Sequence, residues 1–245
     1  MMKRIFYKNR IMGLIVLLCV CSTQAQSTKD SNGALRPAQE SMVKIASLTA
    51  QGNLEQLSDE LNHGLDNGLT VNEIKEVLVH LYAYCGFPRS IRGLQTFLDV
   101  LDDRKEKGIK DTWGREASAI TDTRDKYDRG IETLEELLQV KMDGPKPAYQ
   151  QFSPAMDVFL KEHLFADIFE RDVLTYAQRE LTTISVIASL GNLDPMLRSH
   201  LSISLKVGHT PEQLKAFVGI IGTTAGKEKA KAAQAVLRAV LSDSQ

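Results

Sequence analysis

The apolar positions of this chain recur at helical spacing along most of its length, and the pattern is plainest between Gly68 and Gly86. There Ile74, Val77, Leu78, Leu81 and Cys85 fall on one stripe, as a helix of 3.6 residues per turn requires. Thr70 and Glu73 form a capping box that opens this helix, and capping accounts for Glu73. Gly68 offers a stop for the element before it, because glycine takes the left-handed cap conformation cheaply. Gly86 and Pro88 end the helix just past Tyr84. Beside the apolar stripe, Glu76, His80 and Tyr84 are spaced by four and line an adjacent polar face.

The same spacing places the remaining elements. A first apolar helix from Leu35 breaks at Gly52-Asn53, a second runs Leu54–Leu65, and Arg89–Leu101 carries Ile91, Leu94, Phe97 and Leu98 on a fourth. The charged stretch Asp102–Asp122 reads as a linker or a solvated helix. Tyr127–Gln139 is a helix with Ile131, Leu134, Leu137 and Leu138 inward. Gly144–Pro154 holds three prolines and reads as a loop, and Phe152–Phe169 is helical again. No run alternates with period two, so the fold class predicted is all-α.

An internal repeat organises these helices. GNLEQLSDELNHGLDNGLTVNEIKEVL from Gly52 matches GNLDPMLRSHLSISLKVGHTPEQLKAF from Gly191 in outline. Each has Gly-Asn-Leu, a helix, a glycine, then Thr followed three residues later by Glu or Gln. In the second copy Gly208 is the stop, and Thr210 to Gln213 form a capping box with Pro211 at the first helical position. Two helical units follow, over 35–102 and 172–241, separated by a linker and helical lead-in over 103–171.

The stretch GLDNGLTVNEIKEVLVHLYAYCGFPR, Gly64 to Arg89, resembles the carboxymuconolactone decarboxylase family, which shares its fold with alkylhydroperoxidase D-type redox enzymes. The second copy opens on FADIFERDVLTYAQREL, with Asp167, Arg171, Leu174, Arg179, Glu180 and Leu181 at positions that match the family's head segment. The resemblance implies that Glu180, and the histidine about twenty residues on, His200, form the acid/base pair. In the hydroperoxidase relatives that pair flanks a Cys-x-x-Cys; here Asn192 and Met196 lie in that region with no cysteine, which excludes dithiol chemistry. The family also implies a homo-oligomer, a trimer or hexamer.

The N-terminus alters the cysteine count. Lys3, Arg4, Lys8 and Arg10 precede an apolar core, Ile11–Val20, and Thr23-Gln24-Ala25 makes a cleavage site, so residues 1–25 read as an export signal and the mature protein as periplasmic. Cys19 and Cys21 leave with that signal. Cys85 alone remains and cannot form an internal disulfide. The net charge of −1, with signs scattered, argues against a nucleic-acid surface, and membrane contact is expected only during export. Neither a phosphate loop nor a His/Cys metal cluster is present, so no cofactor is expected.

The two copies have diverged in a complementary way. His200 of the second stands where the first has Glu60, while His80 and Tyr84 of the first stand where the second has Ile220 and Thr224. A single composite site, within one chain or across a subunit boundary, is the economical reading. The resemblance implies cofactor-free decarboxylation of a small carboxylated lactone, with His200 as acid/base, Glu180 orienting it and His80 and Tyr84 as pocket groups. Arg171 or Arg179 would grip the substrate carboxylate. A non-catalytic exported binding or assembly module is the alternative. Peroxidase activity through Cys85 ranks below both, since an apolar position disfavours a thiolate. His63, His163 and His209 look like surface or loop residues.

Overall fold

A computed structural model of the chain describes residues 34–243. The export segment expected over 1–25 lies outside the described residues, and no described helix is long and apolar enough to cross a membrane. The described residues contain no strand.

The first unit is built from α1 (Pro37–Gln51), α2 (Leu54–Asp66) and α3 (Val71–Glu106). The second comprises α7 (Tyr176–Leu190), α8 (Asp194–Lys206), α9 (Pro211–Thr224) and α10 (Lys227–Asp243). The helix expected to stop past Tyr84 does break there, but without a gap. At Gly86 the backbone takes φ 80° and ψ 159°, a region that glycine reaches without Cβ strain, and a second limb departs at once. Pro88 sits in the first turn of that limb, where a missing N–H costs nothing. The limb runs on to Glu106, beyond the Leu101 expected. Gly226, also at positive φ, separates α9 from α10 at the matching place.

The core lies between α1 and α7, which pack against each other and are buried nearly all round. Their small polar residues permit the close approach. Ser189 Oγ donates to Ser47 Oγ at 2.7 Å, and Ser185 and Thr182 return their hydroxyls to carbonyls one turn back. Around this pair Leu57, Leu61, Ile74, Leu78, Leu214 and Phe217 are wholly excluded from solvent.

Between the units the chain departs from expectation. The charged stretch past Glu106 is neither helix nor free linker but an extended strap. Its Thr112 and Trp113 carbonyls accept the Val71 and Asn72 amides at 3.0 and 2.9 Å, donors that the start of α3 would otherwise leave unpaired. Next come α4 (Lys126–Leu138), α5 (Ala148–Phe152), α6 (Pro154–Val158) and a π-helical segment, Phe159–Ile168. The short α5 lies inside the proline-rich stretch expected to be a loop. Gly130 explains how closely α4 meets the π-helix: a Cβ there would collide with the Lys161 carbonyl. Leu137, Phe165, Phe169 and Ile203 make a second apolar cluster that ties this insert to α8.

Candidate active site

Glu180 stands in the second turn of α7 and His200 midway along α8. The two helices are joined by a turn in which Gly191 and Asn192 both have positive φ. The turn brings the side chains together: His200 Nδ1 donates to Glu180 Oε2 at 2.9 Å. Glu180 is fully buried and its Oε1 has no hydrogen-bond partner among the described residues, while the His200 side chain keeps 15 % exposure. With Nδ1 committed, Nε2 is the ring nitrogen left available.

What His200 faces is a cavity of about 600 Å³. Its wall comes from both units and from the insert: Tyr84 of α3, Leu134 of α4, Leu164 of the π-helix, Ile187 of α7 and Met196 of α8. Leu134 and Leu138, expected to point inward, are half-buried because they border this space. The stretch 103–171 is therefore not merely a connector, since it builds one side of the cavity.

Behind Tyr84 lies a ladder between α3 and α7. Glu76, His80 and Tyr84 on α3 alternate with Arg179 and Thr183 on α7, each set spaced by four. Arg179, with no exposure at all, donates through Nη2 to Glu76 Oε1 at 2.7 Å and to the Arg171 carbonyl at 2.5 Å. Its Nη1 meets His80 Nδ1 at 3.2 Å, His80 Nε2 meets Thr183 Oγ1 at 2.8 Å, and Thr183 donates to the Tyr84 hydroxyl at 3.2 Å. The Tyr84 ring meets that of His200 edge-on, with centroids 6.2 Å apart. Burial, followed by the Arg179 and His200 charges, pushes His80 well below the ordinary imidazole range, so it is neutral. Burial and the nearby Glu180 raise the Tyr84 phenol, which therefore stays protonated.

This arrangement revises two expectations. Neither Arg171 nor Arg179 is free to grip a substrate carboxylate. Arg171 makes a bidentate contact with Glu76, Nε to Oε1 and Nη2 to Oε2, each at 2.9 Å, and Arg179 is sealed behind it, because a buried Glu76 needs charge compensation. His80 does not face the cavity; it is wholly buried, one layer behind Tyr84. Cys85, half-buried, donates to the Leu81 carbonyl, and burial pushes its thiol up against the opposing pull of Arg89. That is the reverse of what a reactive thiolate needs. His209, expected at the surface or in a loop, lies in the connection between α8 and α9, where it is buried and donates to the Ala177 carbonyl at 2.8 Å. His163 is exposed as expected, yet it pairs with Asp167 at 3.0 Å.

Sequence reasoning passed over Thr183, although its spacing of four from Arg179 repeats that of 76, 80 and 84. It also passed over Lys161, the cation of the cavity wall. Lys161 is tied to Asp157 at 2.5 Å, and Asp157 also receives Lys146 and the Tyr127 hydroxyl, each at 2.6 Å. Burial pushes the Asp157 carboxyl up, but these three donors override it and hold it well below the usual carboxylate range.

The model of the carboxymuconolactone decarboxylase family matches residues 23–98 and 154–239, which together make up more than half of the chain. The chain belongs to that family. No curated protein matches it. The two matched segments cover most of each helical unit, and the second takes in the π-helix, so this family member holds Tyr84 in one matched segment and Glu180 and His200 in the other.

Proposed function

We propose that this family member performs cofactor-independent acid/base chemistry at carbon on a small, largely apolar carbonyl compound, and that the reaction is decarboxylation of a lactone-type acid. The carrying observation is His200, bonded to buried Glu180 through Nδ1 at 2.9 Å at the wall of a 600 Å³ cavity. In such a reaction the bond to the carboxylate carbon breaks and its electron pair enters a conjugated carbonyl. Carbon dioxide leaves, and the resulting enolate takes a proton at carbon. The imidazolium form of His200 supplies that proton from Nε2 and is left neutral, its remaining proton on Nδ1 and bonded to Glu180, which holds the ring in the orientation required. The ring then regains a proton from water for the next turnover. A substrate carboxylate among Leu134, Leu164 and Leu190 has little to replace its hydration, which favours its departure as a neutral molecule.

The test is a panel of unsaturated γ-lactone acids in deuterated water, followed by NMR for decarboxylated product carrying deuterium at the protonated carbon. His200→Gln is expected to reduce turnover by about 10²- to 10⁴-fold. Glu60→Gln, at the matching place in the first unit, should leave it unchanged. An absence of turnover across the panel, or turnover indifferent to His200→Gln, overturns the proposal.

A further inference from the structure

The ladder behind the cavity has a direction. A guanidinium donates and never accepts, so the Arg179 contact to His80 Nδ1 requires that nitrogen to be unprotonated. The proton of the neutral ring is then on Nε2 and is donated to Thr183 Oγ1. Thr183 has one hydrogen, and its geometry sends it to the Tyr84 oxygen. Tyr84 thus accepts from inside the protein, and its own hydrogen has no acceptor among the described residues. The side chain keeps some exposure and borders the cavity beside His200.

We infer that Tyr84 is a catalytic residue that donates a hydrogen bond to a carbonyl or enolate oxygen of the substrate. His80, Thr183 and Arg179 are positioning residues that hold it in the donor sense. The inference rests on the cavity's being the substrate site, as proposed above, and narrows the ligand class. The cavity takes an apolar ring or chain with one such oxygen directed at Tyr84, its reacting carbon toward His200. As the electron pair arrives on that oxygen, the Tyr84 O–H stabilises the negative charge and keeps its proton, as donors placed where charge develops do. His200 alone then delivers a proton to carbon. The direction survives ordinary pH changes: the charged groups around His80 are Arg179 and Glu76, both sealed in the ladder, with His200 beyond Tyr84.

The probe is 4-nitrophenol, an aromatic ring whose oxygen titrates near neutrality and whose absorbance reports ionisation, so the measurement needs no turnover. It is titrated with pH in the presence of saturating wild-type protein, Tyr84→Phe, Thr183→Val and Thr183→Ser, each checked for an unchanged melting profile. A donor that favours the phenolate lowers the apparent pKa of the bound probe. Tyr84→Phe is expected to raise it by about one pH unit relative to wild type, the effect of one hydrogen bond to a charged oxygen. Thr183→Val should raise it by a smaller amount, and Thr183→Ser, which keeps the hydroxyl, should restore the wild-type value. The same apparent pKa in wild type and Tyr84→Phe overturns the donor role. An unchanged value in Thr183→Val overturns the positioning role, and failure of the probe to bind overturns the ligand class. None of these outcomes touches the dependence of turnover on His200, so this inference and the proposed reaction fail separately.

Discussion

The same helix crossing occurs twice in this molecule with opposite chemistry. Where α3 meets α7, Glu76, His80 and Tyr84 mesh with Arg179 and Thr183. Counting from Thr210 and from the glycine stops, the crossing of α9 with α1 has Ala216, Ile220 and Thr224 against Glu40 and Lys44. One crossing buries two ions and a neutral imidazole in a hydrogen-bonded line that ends at a cavity. In the other the aligned α9 positions carry no charge: Thr224 bonds to Ser47 at 2.7 Å, and Lys44 is paired with Glu60 of α2 at 3.5 Å. A backbone duplicated with its caps and glycines retained can thus carry a polar relay on one side and plain packing on the other. The difference lies in a handful of side chains at spacings of four.

The sharpest way to break the comparison is to uncouple the buried charges. Glu76→Gln leaves the fully excluded Arg179 guanidinium without a carboxylate and is expected to cost about 3–5 kcal/mol by chemical denaturation. Lys44→Met, on the α1 side of the other crossing, removes the pair with Glu60 of α2, whose carboxylate also has His63 at 3.7 Å. The lysine side chain keeps 33 % exposure, so this change should cost clearly less than Glu76→Gln. Equal costs would mean that the two crossings are not energetically distinct.

A smaller effect appears with pH. His80 is held neutral in the fold, while in the unfolded chain it takes a proton below about 6.5, the ordinary imidazole value. The unfolded state therefore binds more protons in that range, and stability falls as pH drops from 6.5 towards 5, by up to about 1.4 kcal/mol per unit. His80→Ile copies the residue at the matching place in α9 and should flatten that slope, whatever it does to stability at neutral pH. Melting temperatures across this window decide it, and a slope unchanged in the variant would contradict a neutral, buried His80. Smallest of all is Cys85. With its thiol pushed up by burial, it should react with iodoacetamide at neutral pH more slowly than free cysteine, and Cys85→Ser should not alter turnover.

Much of this was legible in residue order. The stripes of Ile74, Val77, Leu78 and Leu81, the capping boxes at Thr70 and Thr210 and the repeated Gly-Asn-Leu are local signals that act within a turn or two of helix. The Glu180–His200 pair rested on a resemblance and on a short connecting turn, and the fold brings the two side chains into contact. The arginines were misread because a carboxylate from a distant helix took both of them. Arg171 and Arg179 lie 95 and 103 positions beyond Glu76, and no local pattern announces that pairing.

By itself the sequence determined the all-α class, the duplication, the breaks at Gly68, Gly86 and Gly208 and the face shared by Glu76, His80 and Tyr84, because helical periodicity and glycine conformations are properties of neighbouring residues. Only the tertiary structure decided which groups face the cavity and which stand behind it. His80 and Tyr84 share one helix face, yet His80 is sealed between Arg179 and Phe169 while Tyr84 reaches the open space beside His200. The insert's role as a wall is of the same kind, since it depends on α4 meeting the π-helix where Gly130 has no side chain. Burial is set by what packs across a helix rather than along it, and that information is distributed over the whole chain.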